Sequence, residues 1–356
     1  MALFSKQTRQ SFLGIDLGMS GIKVVELLNE KGRARLVTYA YAEIPHPRSE
    51  RSLLEEPDKT AALLKRMLSK ARTTSKKAVA ALPVSSVFTS IISVPSGSDK
   101  EQKEAINWQA KKLIPMPLED IALDSKILEN VSEGEDKKKK MTRVLLTGAP
   151  SVLVSSYVGI LTSAGLEPLA LETESFAQIR ALVGKDRSTV MIIDIGSFRT
   201  NITVVEGGVP YLSRSIAAGG AGITNTIAQT LGIPSEQAET MKRDIQAMQS
   251  FAPTGDISLI LQTLLKPVLD EIKYSLNLYQ GQAANNQPRR IEKIIVTGGS
   301  SLLPRLPEFL TQLLNINAYL GDPWARVVYP EELRPVLEEI GPRFAVSVGC
   351  AMRDIE

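Results

Sequence analysis

Short apolar runs broken by glycine-containing turns recur in both halves of the chain and predict β-strands that fold back on one another. In the first half the runs are residues 12–16, 22–28 and 33–43, followed by a helical pattern at about 58–71 and a strand at 78–82. The second half repeats the three strands at residues 189–194, 202–206 and 209–215. This repetition predicts an α/β fold with two similar lobes that enclose a cleft.

The segment between the repeats, residues 84–166, is predicted to form a separate α/β subdomain. An amphipathic helix is expected at residues 99–113, with Ser98 as its N-cap and prolines after its end. Strands are expected at 123–129 and 143–147, and the apolar stretch 152–171 is interpreted as a buried helix followed by a strand. The predicted repeating face of the first helix consists of Ala105, Ile106, Gln109 and Leu113.

A charged run that includes Lys137 and Lys140 joins the two expected strands of this subdomain. We interpret it as the solvated tip of a hairpin, because runs of charge rarely enter a core. A surface patch for a membrane or a protein partner is the alternative interpretation.

Composition excludes several classes of function. The chain has 356 residues, 43% of them hydrophobic and 23% charged, which suggests two folded domains and excludes extensive disorder. A net charge of +3 is too small to indicate a nucleic-acid partner. Cys350 is the single cysteine and His46 the single histidine, so internal disulfides and catalytic or metal sites with two histidines are excluded. We expect no membrane anchor, because the sequence lacks a long apolar segment and a basic amphipathic tail.

One short motif appears once in each half, as Ile15-Asp16-Leu17-Gly18 and as Ile193-Asp194-Ile195-Gly196. In each copy an aspartate closes a strand and a glycine lets the chain turn back, so that backbone N–H groups can approach an oxyanion. The two aspartates are predicted to hold a metal ion rather than phosphate, since bare carboxylates repel a polyphosphate. An ordinary Asp-Gly-type turn is the alternative interpretation of a single copy.

A third motif, Thr297-Gly298-Gly299-Ser300, follows a buried-strand run and precedes a helix-like segment. Paired glycines leave room for a flat aromatic ring to lie against the backbone. Together the three motifs resemble those of the actin superfamily, which includes actin, sugar kinases, MreB and FtsA. The resemblance implies an actin-like two-lobed ATPase fold of duplicated ribonuclease H-like domains, with ATP and Mg²⁺ between the lobes.

The resemblance also implies a role for particular residues. Asp16 and Asp194 would hold the metal, and Glu174 would orient the attacking water. Residues that would bind the nucleotide are Gly18, Met19, Ser20, Gly21, Lys23, Gly196, Ser197, Gly219, Gly220, Glu239, Lys242, Gly298, Gly299 and Ser300. Three of these assignments have plain alternatives: an exposed strand lysine for Lys23, an acid at a helix N-terminus for Glu174, and an exposed ion pair for Glu239 and Lys242.

Within the superfamily the inserted subdomain resembles the IC subdomain of FtsA and of PilM-type type IV pilus assembly proteins. The segments around Lys23, Pro83, Pro117 and Phe176 are similar to the PilM type. The implied layout has a first lobe at residues 1–83, 167–188 and 342–356 and the inserted subdomain at 84–166. The second lobe would occupy 189–235 and 281–341, with a small helical subdomain at 236–280.

The family resemblance implies a cytoplasmic scaffold that binds ATP and hydrolyses it weakly or only with a partner. Its implied partner is the N-terminal cytoplasmic peptide of PilN, a bitopic inner-membrane protein that would recruit it to the membrane. Other pilus platform proteins and motor ATPases are further possible partners. Two other functions stay open from sequence alone, an FtsA-like cell-division tether and a small-molecule kinase.

Overall fold

A computed structural model of the protein describes residues 10–44, 53–132, 140–244, 246–247, 257–282 and 289–355. The strands are β1 (Ser11–Gly18), β2 (Gly21–Glu30), β3 (Arg33–Glu43), β4 (Lys77–Leu82), β5 (Phe88–Pro95), β6 (Ile121–Ser132), β7 (Lys140–Pro150), β8 (Glu167–Thr173), β9 (Val190–Ile195), β10 (Thr200–Glu206), β11 (Val209–Ile216), β12 (Lys293–Thr297), β13 (Asn317–Leu320) and β14 (Val327–Val328). The helices are α1 (Pro57–Lys70), α2 (Asp99–Leu113), α3 (Ser151–Ser163), α4 (Glu174–Gln178), α5 (Gly220–Leu231), α6 (Ser235–Arg243), α7 (Ile257–Leu264), α8 (Lys266–Gly281), α9 (Leu306–Leu314), α10 (Arg334–Ile340) and α11 (Ala345–Met352).

The first sheet has the strand order β14-β3-β2-β1-β4-β8, with an antiparallel meander at its centre. Its central strands are buried on both faces, which explains their almost continuous apolar sequence. Helices α1 and α3 cover one face, and α11 covers the other. Gly14 is required where α11 crosses β1, because a Cβ there would collide with the carbonyl oxygen of Ser347.

The second sheet has the order β11-β10-β9-β12-β13 and repeats the antiparallel meander of the first. Helices α5 to α9 bury their apolar faces in the same cluster as Met191, Ile193 and Val296. The three-strand repeat predicted in both halves is therefore confirmed. The strand bounds differ from the predicted ones by a few residues at their ends.

The third sheet, in the order β5-β7-β6, lies in the segment inserted between the repeats. Helix α2 begins at a complete capping box, in which the Ser98 side chain accepts from the Glu101 backbone and the Glu101 side chain accepts from the Ser98 backbone. One predicted face residue was wrong: Leu113 is 41% exposed, and Ala110 lies in the core instead. The charged run at residues 133–139 lies outside the described residues, as does His46.

Two segments pack elsewhere than the sequence division implies. Helix α3 was grouped with the inserted subdomain, yet Tyr157 and Leu161 belong to the same buried cluster as β1 and β4. Residues up to 341 were grouped with the second lobe, yet β14 pairs with β3, and Trp324 packs against Phe344 beside the first sheet. Long-range packing decides the place of both segments, and their own apolar pattern does not reveal it. In the part of the chain that the structure describes, no helix is long and apolar enough to cross a membrane.

Candidate nucleotide-binding cleft

Two β-hairpins of equivalent design face the same space, one from each large sheet. In the first, Asp16 on β1 lies directly opposite Lys23 on β2. In the second, Asp194 on β9 lies directly opposite Asn201 on β10. Side chains at directly opposite positions of an antiparallel pair project to the same side, so each hairpin presents one carboxylate beside one nitrogen donor. The duplication seen in the sequence is therefore present in the geometry.

Asp16 and Lys23 form a nearly buried ion pair. Lys23 Nζ lies 3.0 Å from Asp16 Oδ2, and the two side chains are 12% and 9% exposed. Burial alone would lower the pKa of Lys23, but the attraction of Asp16 raises it above its ordinary value. Lys23 therefore stays charged, and the interpretation as an exposed strand lysine is wrong.

Asp194 has an amide, not a cation, as its hydrogen-bond donor. Gln178 Nε2 on α4 donates to Asp194 Oδ2 at 2.6 Å. The pKa of Asp194 is raised to about 6, because burial and the charge of Asp16 together outweigh the hydrogen bond from Gln178, which lowers it. Because its donor is an amide, the negative charge of the Asp194 carboxylate is not neutralised by that contact. The carboxylate also lies close enough to Asp16 for the two negative charges to repel each other.

Glu174 lies in the first turn of α4, whose N-cap is Thr173. Its Oε2 atom accepts from the Val84 backbone N–H at 3.0 Å and from Asn201 Nδ2 at 3.1 Å. The pKa of Glu174 is raised to about 8, chiefly by burial and further by the charges of Asp16 and Asp194. Glu174 does occupy a helix N-terminus, as the plain alternative held, but its carboxyl group also faces both aspartates.

Four small residues join the second hairpin to α5 and to the loop after β12. The Gly196 carbonyl accepts from the Gly220 N–H at 2.9 Å and from Ser300 Oγ at 3.3 Å. A Cβ at Gly219 would lie 2.7 Å from the Gly196 carbonyl oxygen, and one at Gly220 would collide with Ser300 Oγ. Gly219 and Gly220 therefore have no room for a side chain. We call Gly196, Gly219, Gly220 and Ser300 the glycine seam.

The loop after β12 approaches Asp194 closely at Gly298. Gly298 has a φ of +88°, and a Cβ on it would collide with Asp194 Oδ1. Its N–H and the Thr297 hydroxyl both donate to the carbonyl oxygen of Pro342, at 2.9 Å each. Next to it, Gly299 begins a 3₁₀ turn that runs to Leu302. The paired glycines predicted from sequence therefore lie beside the second aspartate.

The side chains of Glu239 and Lys242 on α6 form an ion pair at 2.5 Å, as the plain alternative predicted. This pair is not an exposed one, because Lys242 is only 6% exposed. Lys242 Nζ also donates to the Gly220 carbonyl at 3.2 Å and to Thr224 Oγ1 at 2.9 Å. Burial lowers the pKa of Lys242, while Glu239 opposes that shift. The pair thus holds α6 against the first turn of α5, beside the glycine seam.

The remaining residues of the first hairpin lie at its turn. Gly18 and Gly21 are directly paired and bracket Met19 and Ser20. A Cβ at Gly18 would lie 2.8 Å from Lys23 Nζ. Gly18 ends β1 and Gly21 begins β2, and Met19 and Ser20 form the turn between them.

The donor set suits a polyphosphate with a hard divalent cation. Two carboxylates, Asp16 and Asp194, face one space with the Lys23 ammonium group, and glycine backbone lines its edge. Mg²⁺ is held in proteins by one or two carboxylates together with water and phosphate oxygens. No group of three or more His, Cys, Asp or Glu side chains that could hold a metal by themselves occurs among the described residues.

Sequence reasoning missed three polar residues of this cleft. Gln178 donates to Asp194 and Asn201 donates to Glu174. Thr224 bridges Lys242 and Glu239. Each makes its contact with a residue that is distant in sequence, which spacing alone does not reveal. The spacing of Glu174 and Gln178, one helical turn apart, was the one signal available.

Comparison with known proteins identifies the family. The family model described as "Type IV pilus assembly protein PilM" matches residues 14–355. This chain belongs to the PilM family. It is similar to the solved structure titled "PilM-PilN type IV pilus biogenesis complex", with 28% identity, a TM-score of 0.81, and coverage of 98% of this chain and 99% of that one. The fold is therefore actin-like, as predicted.

More distant relatives share the fold. MreB5 of Spiroplasma citri, solved with AMPPNP bound, is 13% identical over 96% of this chain and 95% of its own, with a TM-score of 0.52. The cell division protein FtsA of Bacillus subtilis is 24% identical over 65% of this chain, and the match spans 59% of the length of FtsA. These matches support the actin-like architecture with its FtsA-like insertion.

Proposed function

We propose that this protein is an ATP-binding scaffold of the type IV pilus inner-membrane assembly platform. One observation carries the proposal: the chain aligns over 98% of its length with the PilM–PilN complex at a TM-score of 0.81. The paired hairpins support the nucleotide part, and family membership supports the pilus part. The site lies on rigid strand ends, which suits a protein that changes state with its nucleotide.

In this proposal ATP lies between the two hairpins with its phosphates against the glycine seam. Lys23 leaves Asp16 to bind the β- and γ-phosphates, and the turn from Gly18 to Gly21 supplies N–H donors. Asp16 and Asp194 hold Mg²⁺, mainly through its water ligands. Charge supports this arrangement, since Asp16 raises the pKa of Asp194 and a cation between the two carboxylates would offset their repulsion.

The adenosine would lie on the other side of the seam. Gly298 and Gly299 offer bare backbone to the base, with Ser300 at their end. Glu239 and Lys242 are proposed to bind the ribose and the adenine edge. The ion pair between them, at 2.5 Å, holds both side chains in place before a nucleotide binds. On the phosphate side, the proposed binding residues are Gly196, Ser197, Gly219 and Gly220.

Hydrolysis is proposed to be weak or dependent on a partner. Glu174 is the proposed residue that orients the attacking water, and its pKa near 8 suits a base that works close to neutral pH. Its Oε2 atom is already engaged by Val84 and Asn201. The carboxyl group is thus held in place by both lobes. The distance between this group and the attacking water would therefore depend on how far the lobes close.

The proposed partner is the N-terminal cytoplasmic peptide of a PilN-type membrane protein, which would recruit this protein to the cytoplasmic side of the inner membrane. We place the docking site where α3 meets the inserted sheet. Val152 at the start of α3 is 79% exposed and Ile127 on β6 is 58% exposed, so both offer apolar surface to a partner. Strand β6 is also an outer strand of its sheet, so an extended peptide can hydrogen-bond to its edge.

The inserted unit in this proposal is residues 84–150. Helix α3 stays with the first lobe, because Tyr157 and Leu161 fill the core between α1 and the first sheet. A deletion that removed α3 would damage that core and would not report on docking.

Calorimetric titration of the PilN N-terminal peptide tests the proposal. We expect a Kd of about 1 µM or tighter, which corresponds to about 8 kcal/mol. Val152→Glu should abolish binding, whereas Leu259→Glu on α7, where the side chain is 52% exposed, is the matched control and should bind as the wild type does. Asp194→Ala should also leave the peptide bound. Undiminished binding by Val152→Glu and by a chain that lacks residues 84–150 would refute the docking site.

A further inference from the structure

Four polar side chains connect the two lobes at the floor of the cleft. Glu174 and Gln178 are one turn apart on α4 and lie on the same face. Asp194 and Asn201 are directly opposite on β9 and β10. Neighbours on a helix face and neighbours across two strands are separated by similar distances of about 5–6 Å. The two pairs therefore meet in register.

Each pair contributes one amide and one carboxylate. Gln178 Nε2 donates to Asp194 Oδ2 at 2.6 Å, and Asn201 Nδ2 donates to Glu174 Oε2 at 3.1 Å. In both bonds an amide of one lobe donates to a carboxylate of the other. We call these four residues, Glu174, Gln178, Asp194 and Asn201, the interlobe clasp.

The Asn201 side of the clasp is braced by further hydrogen bonds. Ser215 Oγ donates to Asn201 Oδ1 at 2.7 Å, and Arg199 Nε donates to Ser215 Oγ at 3.0 Å. Glu174 accepts from the Val84 backbone as well. This side has several bonds that fix its geometry without the clasp, so removal of one amide would change it little.

Among the described residues, the Gln178 side chain makes one short hydrogen bond, the one to Asp194. Gln178 is 1% exposed, so its amide cannot turn to solvent. With Oδ2 of Asp194 held by Gln178, the other oxygen, Oδ1, lies on the side of Gly298, where a Cβ would collide with it. The Gln178 amide therefore sets the rotation of the Asp194 carboxylate.

The choice of an amide also has an electrostatic consequence. Asp16 is paired with the ammonium group of Lys23, which cancels its charge. An amide donor orients Asp194 but leaves the negative charge of its carboxylate available to a cation. Groups that hydrogen-bond to metal-binding carboxylates commonly change metal affinity by 10- to 100-fold.

We propose that Gln178 is a positioning residue that orients Asp194 and thereby sets the divalent-cation affinity of the nucleotide site. This inference rests on the proposed binding of Mg²⁺ and ATP. It assigns a function to a residue outside the three sequence motifs. A residue that only supported the fold would weaken ATP binding equally with and without the cation, whereas this one acts through the cation.

The test is a titration with MgCl₂ of ATP binding, followed by calorimetry, for the wild type and for Gln178→Met. Methionine keeps the length and volume of the side chain but removes the amide donor. We expect the Mg²⁺ concentration at half-maximal effect to rise about tenfold, with ATP binding in EDTA unchanged. Gln102→Met, which removes an amide that bonds Thr142 in the inserted segment, is the control and should behave as the wild type does.

Gln178→Asn supplies a second variant if the methionine protein folds poorly. It keeps the polar group but withdraws the amide by one methylene, so the Mg²⁺ midpoint should rise in the same direction. An unchanged midpoint in either folded variant, or an equal loss of ATP affinity with and without Mg²⁺, would overturn the inference. A wild type that does not bind ATP at all would instead refute the proposed function, so the two failures are distinguishable.

Discussion

Lys23 and Asp16 face each other across β1 and β2 with Nζ and Oδ2 3.0 Å apart, and both side chains are nearly buried. This ion pair holds the lysine in the position that the phosphates of a nucleotide would compete for. Loss of one member of a buried pair is costly because the other charge stays behind, typically about 3–5 kcal/mol.

The variant Lys23→Met should therefore lower the free energy of unfolding by about 3 kcal/mol. It leaves Asp16 near Asp194 and Glu174 without its cation. The double variant Asp16→Asn with Lys23→Met should recover most of this loss, because no unpaired charge remains. Urea unfolding of both proteins checks the expectation, and a double variant less stable than Lys23→Met would contradict it.

The pKa of Glu174 predicts a pH-dependent stability in the nucleotide-free protein. The folded state keeps its proton up to a pKa of about 8, whereas the unfolded chain loses it near 4.5. Between these values the unfolded state binds fewer protons, so stability falls as pH rises. Glu174→Gln, which retains an acceptor for Val84 and Asn201, removes this contribution.

We expect Glu174→Gln and the wild type to melt at similar temperatures at pH 4.5, and the variant to melt higher at pH 8.5. Asp194, whose pKa is also raised, contributes with the same sign in both proteins and cancels in the comparison. Parallel melting curves from pH 4.5 to 8.5 would show that Glu174 does not lose its proton in this window.

Gly298→Ala tests the close approach of the loop to Asp194. Gly298 and Gly32 both have left-handed φ angles, +88° and +81°. A Cβ at Gly32 meets nothing within 4 Å, whereas one at Gly298 collides with Asp194 and lies 2.6 Å from the Ile195 carbonyl oxygen. Gly32→Ala should cost only the backbone strain, about 1–2 kcal/mol. Gly298→Ala should cost at least about 2 kcal/mol more, and equal melting temperatures for the two variants would contradict the described packing.

The extent to which sequence predicted this molecule depends on the range of the interactions. The Asp-Gly hairpins and the Ser98 capping box were predictable because each is complete within a few residues. The pairing of β14 with β3 was not predictable, because β14 has only two residues and so shows no sequence pattern of its own. The exposure of Leu113 followed from the position of α2 on its sheet, which periodicity alone does not fix.

The same distinction holds within the cleft. The glycines and both aspartates stand in motifs, so sequence found them. Gln178 and Asn201 act across the lobes, on partners that lie 16 and 27 residues away. Such contacts depend on how α4 packs against β9 and β10, and sequence spacing on either element alone does not reveal them.

The proposed role of Glu174 leads us to expect slow hydrolysis. Val84 and Asn201 both donate to one oxygen of its carboxylate, so the group is fixed before a water arrives. Without a partner, phosphate release should be far below the typical enzyme turnover of about 10 per second, and Glu174→Gln should lower it further. Fast release by the isolated protein, unaffected by Glu174→Gln, would contradict this assignment.

Nucleotide binding between the two hairpins is the central claim, and thermal unfolding with and without ATP and Mg²⁺ tests it most directly. A ligand that binds only the folded state at 100 times its Kd adds about 2.7 kcal/mol of stability. The account predicts that ATP with Mg²⁺ raises the melting temperature of the wild type by several degrees, and that Asp16→Ala and Asp194→Ala lose the part that depends on Mg²⁺. An unchanged melting temperature of the wild type at saturating ATP and Mg²⁺ would contradict it.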